Sequence, residues 1–283
     1  DHTALELSTR RIGIRVNPKA RAYGLPLVAS HVGGDVAADI AAIDLASLEG
    51  ISVLVDVGTN TEVVVAVDGH MTAASCPAGP AFEGGGIKYG MPGYDGAIES
   101  IRWQPDEFVW ETIGHASPEG FCGSGLIDLL AELRRHEHMT PKGVFADRKQ
   151  YEMPIVPEYG LTLSREDASN LAQAKAANYC GQYIVMRDAG ISPSDVDRLF
   201  LAGGFANYVN IENAVDIGFL APVRENRIEK VGNAAIQGAR EILLSMRRRL
   251  ALEQQVKKID HIELESTPDF FEIFVEACQF KPM

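Results

Sequence analysis

The sequence predicts an α/β fold, and three stretches carry that prediction. Leu54 to Val67 reads as two Val-rich runs hinged on a polar turn, each short enough for a buried strand. Leu199 to Ala202 is a short apolar strand ending in the paired glycines Gly203 and Gly204, with a helix expected to follow. Phe121 to Leu133 has the spacing of an amphipathic helix that begins on Gly123, Ser124 and Gly125.

Length and composition bound what such a chain does. At 283 residues it is one large domain or two ordinary ones, and 46% hydrophobic content supplies a substantial core. No apolar run reaches the roughly 18 residues of a membrane span, so the expectation is a protein with no membrane partner. A net charge of −13 argues against general nucleic-acid affinity and fits an acidic cytoplasmic protein. The chain begins at Asp1 with neither Met nor a signal-like apolar segment, which reads as a fragment or a trimmed product. Cys76, Cys122, Cys180 and Cys278 are far apart and lack zinc or plant-type iron–sulfur spacing, so they read as buried thiols.

In chain order, Asn17-Pro18 and Gly24-Leu-Pro26 are turn signals around a possible short strand. His31 to Ile43 begins glycine-rich and becomes an Ala-rich helix, with Asp35 either a helix-capping residue or a neighbour of the later hairpin. After that hairpin, Asp68-Gly69 turns the chain and His70 to Ser75 returns as a third antiparallel strand. Cys76 to Gly93 is the densest glycine region. It has no Walker-type Lys-Ser or Lys-Thr, and it offers Glu83 and Lys88 as charged residues beside Gly84 and Gly85. Ala97 to Gln104 and Phe108 to Ile113 pair around a Pro105-Asp106-Glu107 bend, and His136 and His138 read as solvated. A Pro- and Gly-punctuated connector spans roughly 139–163. Ser164 with Asp167 then caps a helix whose Ala172, Ala176, Tyr179, Tyr183 and Met186 form a core stripe. An Asn213-centred helix, a strand at Ile228 to Val231 and one long helix with Ile236, Ala239, Leu243, Met246 and Leu250 on a face complete the pattern. Thr267 to Cys278 forms an acidic, aromatic amphipathic tail.

The chemistry is concentrated in the turns. Asp56 ends the incoming strand of the hairpin, where a carboxylate holds a metal ion or its water. Gly58 lets backbone approach a bulky ligand, and Thr59, Asn60 and Thr61 donate to phosphate oxygens. Such a turn is also an ordinary tight turn. The second glycine site at Gly203-Gly204, where a base or ribose lies against bare backbone, raises the reading to a nucleotide held between two sites. Gly123 and Ser124 read equally as a phosphate-facing helix start or a packing turn.

The ordered motifs Asp56-Val-Gly-Thr-Asn-Thr-Glu62, Ala78-Gly-Pro-Ala-Phe-Glu-Gly84, Cys122-Gly-Ser-Gly-Leu-Ile-Asp128 and Leu201-Ala-Gly-Gly-Phe205 with Asn207 resemble the C-terminal ATPase domain of reductive activators of corrinoid proteins. Those proteins belong to the acetate and sugar kinase, heat-shock chaperone and actin (ASKHA) superfamily. The resemblance implies a ribonuclease-H-like, actin-like fold, here the second lobe plus a remnant of the first. Residues 1–50 would be the end of the first lobe and the connecting helix, 51–265 the second lobe with a glycine-rich insertion, and 266–283 a tail.

By the same resemblance, ATP and Mg²⁺ are the ligands. Asp56, as the metal-holding residue, and Glu62 would organise Mg²⁺ and attacking water, with Thr59, Asn60 and Thr61 on phosphates and Gly203, Gly204 and Asn207 on adenosine. The implied activity is ATP-coupled reduction of a corrinoid from Co(II) to Co(I). The partner is a corrinoid protein or corrinoid-dependent methyltransferase, and a [2Fe-2S] cluster is expected only in an N-terminal domain outside this sequence. Two other readings stand beside it: a small-molecule kinase of the same superfamily, and a docking module with a vestigial nucleotide site. A homodimer is carried as an option, with no segment that specifies it.

Overall fold

The computed structural model describes residues 2–105 and 107–283, so Asp106, in the bend expected between two strands, lies outside the described residues. The fold is α/β as the sequence predicts. Two short strands, β1 (Leu5–Ser8) and β2 (Arg21–Gly24), pair antiparallel ahead of helix α1 (Gly34–Ile43). The hairpin follows as β3 (Ile51–Val57) and β4 (Thr61–Val67), and β5 (His70–Cys76) returns beside it. A second layer holds β6 (Ala97–Gln104), β7 (Glu107–Thr112), β8 (Gly120–Phe121) and α2 (Gly123–Arg135). Then come β9 (Glu152–Val156), β10 (Leu161–Ser164) and the 24-residue helix α3 (Arg165–Asp188). The chain closes with β11 (Arg198–Gly203), α4 (Ile211–Asp216), β12 (Ile228–Gly232), α5 (Ala234–Leu244), α6 (Met246–Val256), β13 (Asp260–His261) and α7 (Phe270–Ala277).

The central sheet has the order β12-β11-β3-β4-β5-β13. β3 runs antiparallel to β4 and parallel to β11, which sets Asp56 opposite Glu62 on one side and opposite Ala202 on the other. Alternation along the strands divides the core. Val53, Val55, Val63, Val65 and Leu201 pack with α2, α3 and α7, whereas Leu54, Val64, Ala66 and Phe200 pack with α1, α5 and α6. Because both faces are covered, the central strands read as continuous apolar runs.

Several expectations need correction. The 139–163 connector contains the β9–β10 hairpin, whose Leu161 and Leu163 bury beside α3. The long last helix is two helices, broken at Ser245, whose backbone is extended and whose Oγ accepts from the Arg248 N–H. The apolar row it carries faces solvent, with Leu243 68% exposed and Ile236, Met246 and Leu250 also exposed. On α5 the reason is Gly238: a Cβ there would lie 1.8 Å from the Ala38 carbonyl oxygen, so the row Ala234, Gly238 and Ile242 sits on α1 and Ile236 and Leu243 turn outward.

Tyr183 is also partly exposed, stacked on Tyr179 at 5.8 Å beneath the Arg187 guanidinium. His138 is tucked edge-on against Trp103 at 4.4 Å, and burial lowers its pKa. The Ser164–Asp167 cap holds as a reciprocal capping box, with Asp167 Oδ2 accepting from the Ser164 N–H at 2.8 Å. Among the described residues no helix is long and apolar enough to cross a membrane.

Candidate functional site

At the carboxyl ends of β3 and β11 lies a cavity of about 490 Å³. Val57 and Gly58 of the hairpin form one wall and Gly204 and Phe205 after β11 form another. Gly123 and Ser124, at the N-terminus of α2, form its base, and Phe82, Glu83 and Met91 come from the glycine-rich loop. Pro92, Gly93, Glu99, Ile113, Cys122 and Tyr208 complete it. A crevice outside the carboxyl ends of parallel strands, with a helix N-terminus directed into it, is a natural place for a phosphorylated ligand.

The glycines divide into two kinds. A Cβ on Gly204 would meet nothing within 4 Å, so its bare backbone faces open space. A Cβ on Gly203 would lie 2.1 Å from the Val57 carbonyl oxygen, and its φ of +118° is strained for any L residue. Gly203 therefore serves the close pairing of β11 with β3 and does not line the cavity. Gly84 and Gly85 are accounted for in the same way: their Cβ atoms would strike Met91 and Pro80 within the folded loop. Asn207 sits outside as well, its side chain lying over Gly232. The helix expected straight after the glycine pair is displaced. A single 3₁₀ turn (Ala206–Tyr208) intervenes, and α4 starts at Ile211.

At the hairpin tip, Thr59 Oγ1 donates to the Glu83 carboxylate at 2.5 Å, tying the turn to the glycine-rich loop. Thr59 and Asn60 are exposed, whereas Thr61 is buried and its hydroxyl has no partner. Lys88 is not available to the site, because it pairs with Glu152 at 2.9 Å. Cys122 is buried at the α2 start, 3.4 Å from Ser124 Oγ.

Asp56 and Glu62 do not line this cavity. Their side chains alternate onto the α1 face of the sheet, and there they meet an acidic helix. Asp35 and Asp39 share one face of α1 by their i,i+4 spacing. Asp39 is fully buried, neither of its carboxyl oxygens has a hydrogen-bond partner, and the charge of Asp56 acts on it.

Electrostatics follow from this crowding. Burial, then the Asp56 charge, pushes the Asp39 pKa up to about 10. Burial also raises that of Asp56. Glu62 is raised to about 7, chiefly by burial, although Ser75 Oγ donates to it at 2.9 Å. The sequence signal for Asp39 was available: it is a carboxylate one turn beyond Asp35 on an otherwise Ala- and Ile-rich helix. Of the cavity's apolar lining, Phe82 and Phe205 lie within the ordered motifs, whereas Ile113 and Tyr208 carried no local signal.

An acidic group of this kind suits a hard, oxygen-seeking cation such as Mg²⁺, with Asp56 two residues before the phosphate turn. Among the described residues no three His, Cys, Asp or Glu side chains form a complete cage.

Comparison with known proteins bears on this arrangement. The chain is 29% identical over 300 residues to the corrinoid activation enzyme RamQ of Eubacterium limosum, covering 98% of this chain and 50% of that protein. It is 25% identical over 273 residues to the [Co(II) methylated amine-specific corrinoid protein] reductase of Methanosarcina barkeri, covering 87% and 49%. The solved structure of a reductive activator for corrinoid,iron-sulfur protein superposes with a TM-score of 0.89 at 33% identity, over 98% of this chain and 47% of that one. The chain thus spans about half the length of the relatives it matches. A family model, the C-terminal domain of RACo, the ASKHA domain, matches residues 50–283, from the start of the central sheet to the end of the chain. The chain therefore belongs to the family of RACo C-terminal ASKHA domains.

Proposed function

We propose that this chain is the ATP-binding and ATP-hydrolysing portion of an iron–sulfur activator that returns a corrinoid protein from Co(II) to Co(I). The observation that carries the reading is the cavity between Gly58 and Gly204, set at the strand ends of a chain in the RACo ASKHA family. The names of its relatives support it: one is a corrinoid activation enzyme and another a Co(II) corrinoid protein reductase.

In this reading the base and ribose lie against Gly204 and Phe205, in the apolar part of the cavity, and the phosphates reach Gly58 and the α2 N-terminus at Gly123 and Ser124. Asp56 faces away from the cavity but ends β3 two residues before Gly58, so it would hold Mg²⁺ at that strand end, where the ion would neutralise the charge of phosphates passing the turn. Glu62, with a pKa near neutrality, suits a residue that orients water and accepts its proton. Residues 1–50 serve as the end of a first lobe and its connecting helix, and 266–283 as a tail packed on α3.

A Co(II)-to-Co(I) step needs a second source of free energy. A nucleotide state that changes affinity for the corrinoid protein supplies it through differential binding. The test is isothermal titration of ATP·Mg²⁺ and ADP·Mg²⁺ into this chain, and into a chain carrying the preceding lobe, with and without a corrinoid protein. Nucleotide affinity that shifts with the partner is the expected result, since linkage is reciprocal. Absence of nucleotide binding in both chains overturns the reading.

A further inference from the structure

The cavity between Gly58 and Gly204 carries two carboxylates, Glu83 and Glu99, and no Lys, Arg or His stands among the described residues that line it. Glu83 accepts from Thr59 Oγ1. Glu99 has neither a hydrogen-bond donor nor an ion-pair partner among the described residues. It is half-buried, so its carboxylate is partly stripped of water with no donor from the chain in return.

The backbone places this side chain by a definite device. Ile98 pairs with Thr112 and Ser100 with Glu111, so β6 takes two steps where β7 takes one, and Glu99 is the extra residue of a β-bulge. The bulge explains why Ile98 and Ile101, three positions apart, are both fully buried in the same core, which plain strand alternation forbids. Helix α2 holds it in place. The Cys122 N–H donates to the Ile98 carbonyl oxygen at 3.1 Å, and a Cβ on Gly125 would lie 2.1 Å from that oxygen and 3.6 Å from the Glu99 carbonyl carbon. A bulge beside a ligand cavity re-aims one side chain, and here that side chain is an unpartnered carboxylate.

A carboxylate in a wall without cations repels a polyphosphate, so Glu99 faces the nucleoside end of the ligand and the phosphates keep to Gly58. The neutral donors of a nucleoside are the sugar hydroxyls and the base amine. Vicinal hydroxyls match both oxygens of one carboxylate, whereas a single amine leaves one oxygen unpaired. We propose that Glu99 is the specificity-determining residue of this cavity, accepting hydrogen bonds from the 2′- and 3′-hydroxyls of ribose so that the site selects a ribonucleoside triphosphate over its 2′-deoxy counterpart. The inference rests on the nucleotide reading of the cavity and deepens it by naming the sugar. A deoxynucleotide leaves a carboxylate oxygen unpaired in the occupied cavity, which is the kind of loss that a hydrogen-bonding site discriminates against.

The test is isothermal titration of ATP, 2′-deoxy-ATP and ITP, each with Mg²⁺, into the wild-type chain and its Glu99→Gln and Glu99→Ala variants. Wild type is expected to bind ATP about tenfold more tightly than 2′-deoxy-ATP, the scale of one hydrogen bond to a charged group. In Glu99→Ala that discrimination disappears through loss of ATP affinity, and Glu99→Gln, which keeps one acceptor, falls between. ITP carries the same sugar on a base without the amine, so its affinity should drop in the variants as much as that of ATP. Because Glu99 has no partner in the chain, the variants should melt with the wild type, which separates lost recognition from lost folding. Equal wild-type affinity for ATP and 2′-deoxy-ATP overturns the proposal and leaves the nucleotide reading standing. So does unchanged discrimination in Glu99→Ala, or a loss seen for ATP and absent for ITP, which would assign the carboxylate to the base amine. Binding of none of the three by the wild type overturns this inference together with the functional reading.

Discussion

Gly203 and Gly204 are adjacent and chemically identical, yet replacing each with Ala should give opposite results. At Gly203 the added methyl meets the Val57 carbonyl oxygen at 2.1 Å and the Val57 amide nitrogen at 3.1 Å, both of them backbone atoms of the neighbouring strand. Backbone cannot swing aside as a side-chain tip does, so the β11–β3 pairing must shift. A φ of +118° adds strain of about 1–3 kcal/mol for a residue with a Cβ, and overpacking adds about 1–3 more. The expected loss is about 3 kcal/mol or more, and for a chain of this size that lowers the melting temperature by roughly 6–12 °C.

At Gly204 the methyl enters open space, so stability should stay within about 0.5 kcal/mol of wild type. Its effect falls on the cavity wall, and ATP affinity should drop about tenfold if a base lies there, as one displaced apolar contact is worth about 1–3 kcal/mol. Thermal melting and nucleotide titration of the two variants side by side read both effects. A Gly203→Ala protein that melts within 2 °C of wild type, on the scale set by size, would refute the argument from close approach.

The pH dependence of stability is a further test. Folding holds the Glu62 proton more tightly than the unfolded chain does, because its pKa rises from 4.5 to about 7. The sign follows directly: this stabilisation is complete below pH 4.5 and is lost as pH rises through 7. It amounts to at most about 3.4 kcal/mol, at 1.36 kcal/mol per tenfold change in proton affinity. Urea midpoints at pH 5 and pH 8 should converge in Glu62→Gln relative to wild type. Gly238→Ala should separate α1 from α5, since its methyl would lie 1.8 Å from Ala38 O, at a cost of about 1–3 kcal/mol in denaturant titration. Lys175 is buried and donates to the carbonyls of Ala277 and Gln279 at 2.7 and 2.8 Å. Lys175→Ala should therefore loosen α7 and cost about 2–4 kcal/mol, visible as faster amide exchange at the C-terminus. Tyr208→Ala, at a side chain 66% exposed on the cavity rim, should weaken nucleotide binding and leave the melting temperature unchanged.

What the sequence determined by itself was local. Runs of Val fix β3 and β4 as strands, Asp68-Gly69 turns the chain into β5, and Ser164 with Asp167 starts α3, because each depends on residues a few positions apart. The order of four glycine-bearing motifs also carried the family. What only the tertiary structure decided was the direction each group faces. Gly203 and Gly204 have the same composition, and only the proximity of β3 makes one structural and the other open. The row Ile236, Leu243, Met246 and Leu250 has helical spacing, but the chain breaks at Ser245, and Gly238 lets α5 settle on α1 so that Ile236 and Leu243 turn to solvent. Asp56 and Glu62 stand beside the phosphate turn in sequence, yet strand alternation carries them to the opposite side of the sheet. There α1 buries Asp39, 17 positions upstream of Asp56, where the Asp56 charge acts on it, a juxtaposition that no local pattern revealed. The physical reason is that hydrogen bonding and propensity act over one turn or one strand, whereas burial and electrostatic crowding are set by what the distant chain places opposite.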